Sequence, residues 1–356
     1  MRVDLHRHLE GSHSAEALAA VAEQFDVRDP TYFDAATGRF RSADALRAAL
    51  TLTEPSDDAG HFYVRIQRAR IAYVSEQAVA ELARRAFVEA AAQTEGFEMR
   101  VSLFSMTRTL LDNEHVAWRE LSPVAFAERA RALLQVVLTA RDAAVLTEGA
   151  PMLIRVGFSR TFESEPHYRA MAAMLVEHRA AICGLDVLGI VAGHDPEPMP
   201  PALREILRGL RAHIGDLTVH AGEFDDHRSV ERTLALEPQA IGHGVRAVES
   251  DAMMARLAAE GITLEVCPSS NRWLIPTALA ALEHRHGAVP LVALQRNHVH
   301  CVLGSDDPAP MATTFDREWA IAAESGVDMV KLAEDGARRW NQLPQPPCGP
   351  IIIVPA

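Results

Sequence analysis

Cysteine is scarce in this chain: four among 356 residues, at Cys183, Cys267, Cys301 and Cys348. Their wide spacing, with no CxxC, excludes a disulfide framework and a cysteine-built zinc site. Lysine is almost missing. Lys331 is the single one, so the other basic residues are all arginine, a bias of composition and not a functional signal. No Lys/Arg-rich run occurs and the net charge is −13, which argues against nucleic acid and anionic membrane surfaces as partners. No run approaches the roughly 18 apolar residues of a membrane span. The first residues, Met1-Arg2-Val3-Asp4-Leu5-His6, lack the apolar centre of a signal peptide. A cytoplasmic protein is the expectation. What is present is ordinary for a chain with a large core, 48% hydrophobic and 23% charged. The length suits two or three average domains, or one α/β barrel.

Eight short apolar stretches read as strands: 3–8, 96–104, 152–160, 185–191, 217–220, 239–243, 263–266 and 299–304. Helical segments with apolar residues every three or four positions lie between them, at 77–92, 125–144, 167–178 and 202–214. Strands alternating with helices build a parallel sheet, and eight strands close into a barrel. The expected fold is therefore α/β, a (β/α)8 TIM barrel. A helical insertion, residues 13–95, follows the first strand and carries helical patterns at 15–23, 43–52 and 77–92. Glu54-Pro55-Ser56-Asp57-Asp58-Ala59-Gly60 is its clearest loop. One domain spans 1–343, and the proline-rich tail, 344–356, is expected to be irregular.

Four short elements carry residues capable of chemistry. His6 and His8, two apart on a strand, project from one face and can grip one divalent metal, although HxH alone is equally compatible with a core or surface role. His220 ends the fifth strand in His220-Ala221-Gly222-Glu223, where Glu223 is placed either as a proton shuttle or as a cap for the next helix. His243 stands between glycines in Ile241-Gly242-His243-Gly244, as a functional or a buried structural histidine. Ser305-Asp306-Asp307-Pro308 follows the eighth strand, and adjacent carboxylates repel unless a cation or a turn accommodates them. Each bland reading stands alone. Together they would need histidines and aspartates to gather by accident at the ends of the first, fifth, sixth and eighth strands, the face where barrels place active sites. One metal explains all four.

These four stretches, the first read as His6-Arg7-His8-Leu9-Glu10-Gly11-Ser12, resemble the adenosine deaminase family of metal-dependent amidohydrolases in order and spacing, from residue 6 to residue 308. Weaker similarities are Phe97-Glu98-Met99-Arg100 and Cys267-Pro268-Ser269-Ser270-Asn271. The resemblance implies one zinc per chain, with His6, His8, His220 and Asp306 as ligands and a water in the open position. It implies hydroxide attack at C6 of an adenine ring, protonation of N1 by Glu223, and orientation of the water by His243. It also implies that Asp307 bonds the purine at N7 and that the Gly193 backbone meets N3. Its small-molecule partner would be a purine nucleoside or base, adenosine first, with adenine and aminodeoxyfutalosine as alternatives. The HxE and PCxxC signature of cytidine-deaminase zinc sites is absent.

The sequence departs from the family at three places. Glu10 stands where adenosine deaminases usually have aspartate, and its extra methylene moves the carboxylate by about 1.5 Å. The usual Asp-Leu-Ala-Gly is Ile190-Val191-Ala192-Gly193, which implies the loss of an acid near the fourth strand. The insertion lacks the family's familiar lid sequence. Two other functions compete: an amidohydrolase cleaving an amide or ester, and a purine-binding relative without turnover. The second predicts a missing ligand or proton shuttle, and none is missing.

Overall fold

The computed structural model describes residues 1–191, 195 and 197–345. Eight parallel strands, β1 (Val3–His8), β2 (Gly96–Val101), β3 (Met152–Ser159), β4 (Gly184–Leu188), β5 (Leu217–Ala221), β6 (Ala240–His243), β7 (Thr263–Val266) and β8 (His300–Leu303), pair in sequence order. The seam between β8 and β1 closes just past the end of β8. There the His8 amide donates to the Asp306 carbonyl at 2.8 Å and the Asp306 amide to the His6 carbonyl at 2.7 Å. Lower on the seam the buried Asp4 carboxylate takes the Ser305 amide (3.1 Å) and hydroxyl (2.5 Å), replacing ladder bonds with a side chain. The barrel predicted from alternating strands and helices is thus present. The predicted strands 96–104 and 185–191 each run three residues past the observed ends at Val101 and Leu188. Residues 102–104 instead start the helix Leu103–Asn113, whose Leu103, Phe104, Thr107, Leu110 and Leu111 recur at helical spacing and are buried.

The barrel interior is charged. Arg155 donates to both Glu98 oxygens at 2.7 Å and to Asp216 at 2.7 Å, and Arg339 grips Asp216 from below at 2.6 and 2.7 Å. One level up, Arg100 bridges Glu265 and Asp186, the latter at 3.2 Å. Such charges survive burial only with full pairing. The apolar core lies outside the strands, where the long helix Pro123–Glu148 and its neighbours pack.

Between β1 and β2 come α1 (Ala15–Gln24), a small hairpin (Phe33–Asp34 with Arg39–Phe40), α2 (Ala43–Leu50), α3 (Gly60–Arg70) and α4 (Glu76–Ala91). Serines cap α1, α2 and α4, accepting from the backbone three residues on. The helix α3 was not anticipated. It has no capping side chain, and its Phe62-Tyr63-Val64 run favours strand by propensity. Pro344 and Gln345 follow the last helix without regular structure; residues 346–356 of the predicted tail lie outside the described residues. Among the described residues no helix is long and apolar enough to cross a membrane.

Candidate active site

The carboxyl ends of β1, β5, β6 and β8 bring together the residues singled out from sequence. One ligand atom from each of His6, His8, His220 and Asp306 lies within 4.8 Å of the others, and all four residues are buried. His8 Nε2 stands 3.3 Å from His220 Nε2 and 3.3 Å from Asp306 Oδ1; His6 Nε2 is 3.4 Å from the same oxygen. The backbone is bent to achieve this. His243 and Asp306 adopt φ of 59° and 58°, a left-handed conformation uncommon outside glycine, and such strain persists where packing over-determines it. Gly11 is required for a different reason: a Cβ there would fall 1.9 Å from Asp307 Oδ1.

Two second partners set the imidazole tautomers. Asp186 lies 3.1 Å from His220 Nδ1 and Glu265 3.3 Å from His6 Nδ1, so each carboxylate takes the Nδ1 proton and turns Nε2 toward the cluster. Arg100, which bridges those two acids, also reaches His6 Nε2 at 3.3 Å. Ile190-Val191-Ala192-Gly193 carries no acid, and the acid that reaches His220 is Asp186, four residues earlier. Asp186 sits on β4 itself, paired in register with Thr218, and alternation along the strand directs it inward. Sequence reading missed Asp186 and Glu265; the signal was a lone acid inside each apolar strand, which burial tolerates only when paired.

Burial pushes His8, His220 and His243 below the ordinary imidazole range, toward the neutral form that ligates metals. Burial opposes ionisation of Asp306, yet the hydrogen bond with His6 and the neighbouring imidazoles hold its carboxyl well below the usual range. Glu223 goes the other way. Burial, then Asp306, Glu197 and Asp307, push it well above the ordinary carboxyl value, so it carries a proton to give. Its backbone turn is fixed by Glu197, which accepts from the amides of Gly222 (2.8 Å), Glu223 (3.1 Å) and Phe224 (2.9 Å). Such an anchor, remote in sequence from the motif it holds, leaves no periodic signal. His243 Nε2 is 3.5 Å from Glu223 Oε2, and Asn271 Nδ2 lies 3.3 Å from His243 Nδ1, leaving the Nε2 proton aimed at the cluster.

A second grouping, His6, His243, Cys267 and Asp306, has equally close ligand atoms. Burial raises the Cys267 thiol well above its ordinary value, and a thiol must ionise to ligate, so the first set is the better cation site. Imidazole nitrogens with one carboxylate oxygen are the donor types zinc takes.

A cavity opens from this cluster. Glu10, Glu223 and Asp307 line it, and α3 covers it with Phe62, Tyr63 and Ile66. At one end Arg70, the last residue of α3, donates to Glu10 Oε1 at 2.9 Å. The other predicted contact, Gly193, lies outside the described residues.

The family model described as adenosine deaminase matches residues 2–337. An adenine deaminase of Chelativorans sp. is 44% identical over 118 residues, 33% of this chain; the match spans about a third (34%) of that relative's own length. An adenosine deaminase of Serratia proteamaculans is 27% identical over 347 residues, 93% of this chain and 94% of that one. Among solved structures, an adenine deaminase from Arthrobacter aurescens shares the fold, with a TM-score of 0.74 and 22% identity over 95% of this chain and 92% of that one. With the motifs gathered at the strand ends and a match over nearly its whole length, the chain belongs to the adenosine deaminase family.

Proposed function

We propose that the protein is a zinc-dependent hydrolase that removes the 6-amino group of a purine as ammonia. The observation that carries this is the conjunction of the four-ligand cluster with a proton-bearing Glu223 beside it, in one cavity. Zinc, when bound, makes water nucleophilic at neutral pH. His6, His8, His220 and Asp306 would hold it, with Asp186 and Glu265 orienting two of the rings. Glu223 gives a proton to the ring nitrogen next to the amino carbon and draws electron density from that carbon. His243 points its Nε2 proton at the attacking oxygen and stabilises charge there. Asp307 holds the imidazole side of the purine at N7, and α3 lines the cavity over it.

Adenosine is the reference substrate for the family, and its conversion to inosine is the first reading. Adenine is the second, favoured by the Glu10–Arg70 pair at the end of the cavity. The test is ammonia release from both compounds by zinc-loaded protein. Asp306→Ala should lower zinc content by elemental analysis, and unchanged zinc would remove Asp306 from the ligand set.

A further inference from the structure

The carboxyl ends of β1, β6, β7 and β8 carry a second set of donors that the proposed reaction uses only in part. One ligand atom from each of His6, His243, Cys267 and Asp306 lies within 4.8 Å of the others, and all four residues are buried. His6 belongs to the first set, with Nε2 3.4 Å from Asp306 Oδ1 and Nδ1 held by Glu265. That leaves His243, Cys267 and the other oxygen of Asp306. Asp306 faces both ways: Oδ1 lies 3.3 Å from His8 Nε2, while Oδ2 lies 3.8 Å from His243 Nε2. Two metal–ligand bonds of about 2.1 Å span such a gap, and a zinc–sulfur bond is longer, about 2.3 Å. Cys267 can approach because residue 304 has no side chain; a Cβ there would fall 2.3 Å from His6 Cβ and 3.0 Å from Cys267 Sγ. The thiol takes no part in the proposed reaction, and its hydrogen bond goes to the Glu265 carbonyl, 3.6 Å away.

His243 can become a ligand with no net loss of protons. Its Nε2 proton must move to Nδ1, where Asn271 now presents Nδ2 at 3.3 Å. Asn271 is 2% exposed and its Oδ1 is buried with no partner. A half-turn of the amide therefore exchanges donor for acceptor at Nδ1 and breaks no other bond. Metal binding then releases one proton, from the sulfur as the sulfur–metal bond forms. Thiolate, imidazole and one carboxylate oxygen favour thiophilic ions such as zinc and cadmium over magnesium, calcium or manganese. We infer that His243, Cys267 and Asp306 Oδ2 form a second, inhibitory site for a thiophilic divalent cation, bridged to the first site through Asp306. Paired sites of this kind stand about 3.5–4 Å apart. With a cation on Nε2, His243 has no proton to aim at the attacking oxygen. One zinc serves the enzyme, and excess shuts it off.

The inhibition rests on the deaminase reading, whereas the binding is read without substrate, so the two can fail separately. Protein carrying one zinc is titrated with cadmium, and with magnesium as the hard-ion control, in a Cys348→Ser background that removes the tail thiol. One further cadmium should bind per chain, with a thiolate-to-cadmium absorption band in the ultraviolet. Deamination should fall by about a hundredfold or more as the band fills, the cost of losing a donor to the developing charge. Magnesium should do neither. The first site has no sulfur, so cadmium that merely replaces its zinc gives no band, and displaced zinc is counted by elemental analysis. Cys267→Ser should keep the activity of the one-zinc protein, lose the band, and need at least about tenfold more cadmium for the same inhibition. If that variant does not fold, Asn271→Asp takes its place: an acceptor fixed at Nδ1 frees Nε2 and should tighten cadmium binding, and unchanged affinity overturns the inference. Inhibition with no band, or inhibition unchanged in Cys267→Ser, also overturns it and leaves the deaminase standing. If no purine is deaminated the deaminase reading fails, and the band with its loss in Cys267→Ser still decides the second site.

Discussion

Gly242 on β6 offers the sharpest test of the metal cluster, because it carries no chemistry of its own. A Cβ built there lies 2.8 Å from His6 Cε1 and 3.1 Å from His220 Cγ and Nδ1, below the 3.4 Å of ordinary contact. Gly242→Ala therefore makes the His6 ring retreat by about 0.6 Å, three times the roughly 0.2 Å by which metal–ligand distances vary. Neither ring can retreat freely, since Glu265 and Asp186 hold their Nδ1 atoms. Overpacking of this kind costs about 1–3 kcal/mol in a tight interior. Misaligned ligands should weaken metal binding by about 10–100-fold, as disruption of ligand-orienting contacts does. The assay is zinc content after dialysis against graded chelator, with thermal unfolding of the metal-free protein as the measure of fold. Gly209→Ala is the control: it sits in the helix Pro201–Arg211 with nothing within 4 Å of the added carbon. That change should be neutral or stabilising by up to about 1 kcal/mol. Wild-type zinc retention in Gly242→Ala would refute the assignment of His6 and His220 as ligands.

Glu223→Gln should keep zinc and lose about 10²–10⁴ in turnover, because the amide cannot donate and regain the ring proton; retained activity refutes the shuttle. His13, bonded to the Tyr73 hydroxyl at 2.7 Å, is held neutral by burial, its value pulled down to about 3. The unfolded chain takes up that proton near pH 6.5, so stability is full above that pH and falls as pH drops toward 3. The loss due to His13 is about 2 kcal/mol by pH 5, and His13→Gln should abolish that part in urea titrations at pH 5 and 7. An unchanged pH dependence would place the burden on other groups. Arg155→Met strands Glu98 and part of Asp216 inside the barrel and should cost about 3–5 kcal/mol, read from the denaturant midpoint. A cost below about 1 kcal/mol would mean that water reaches the barrel floor.

Much of the architecture was legible locally. Alternation of apolar strands with helical periods depends on neighbours in sequence, so the barrel and the helices capped by Ser14, Ser42 and Ser75 could be read directly. The four chemical elements were legible too, because HxH, His-Ala-Gly-Glu, Gly-His-Gly and Asp-Asp each lie at the carboxyl end of a strand. Their convergence then needed only the barrel's rule that strand ends share one face. What local pattern could not reveal was pairing across distance. Asp186 and Glu265 look like misplaced acids until β4 and β7 bring them against His220 and His6. Glu197 gains its meaning from three amides of a turn some 25 residues on. Arg70 ends a helix that strand-favouring residues conceal, and only packing over the cavity mouth makes it helical and sets it on Glu10. Periodicity and turn chemistry are short-range, and so belong to the sequence; the ionisation of Glu223, the tautomers of the ligand histidines and the shape of the purine's far wall depend on burial and on partners that only the closed barrel brings near.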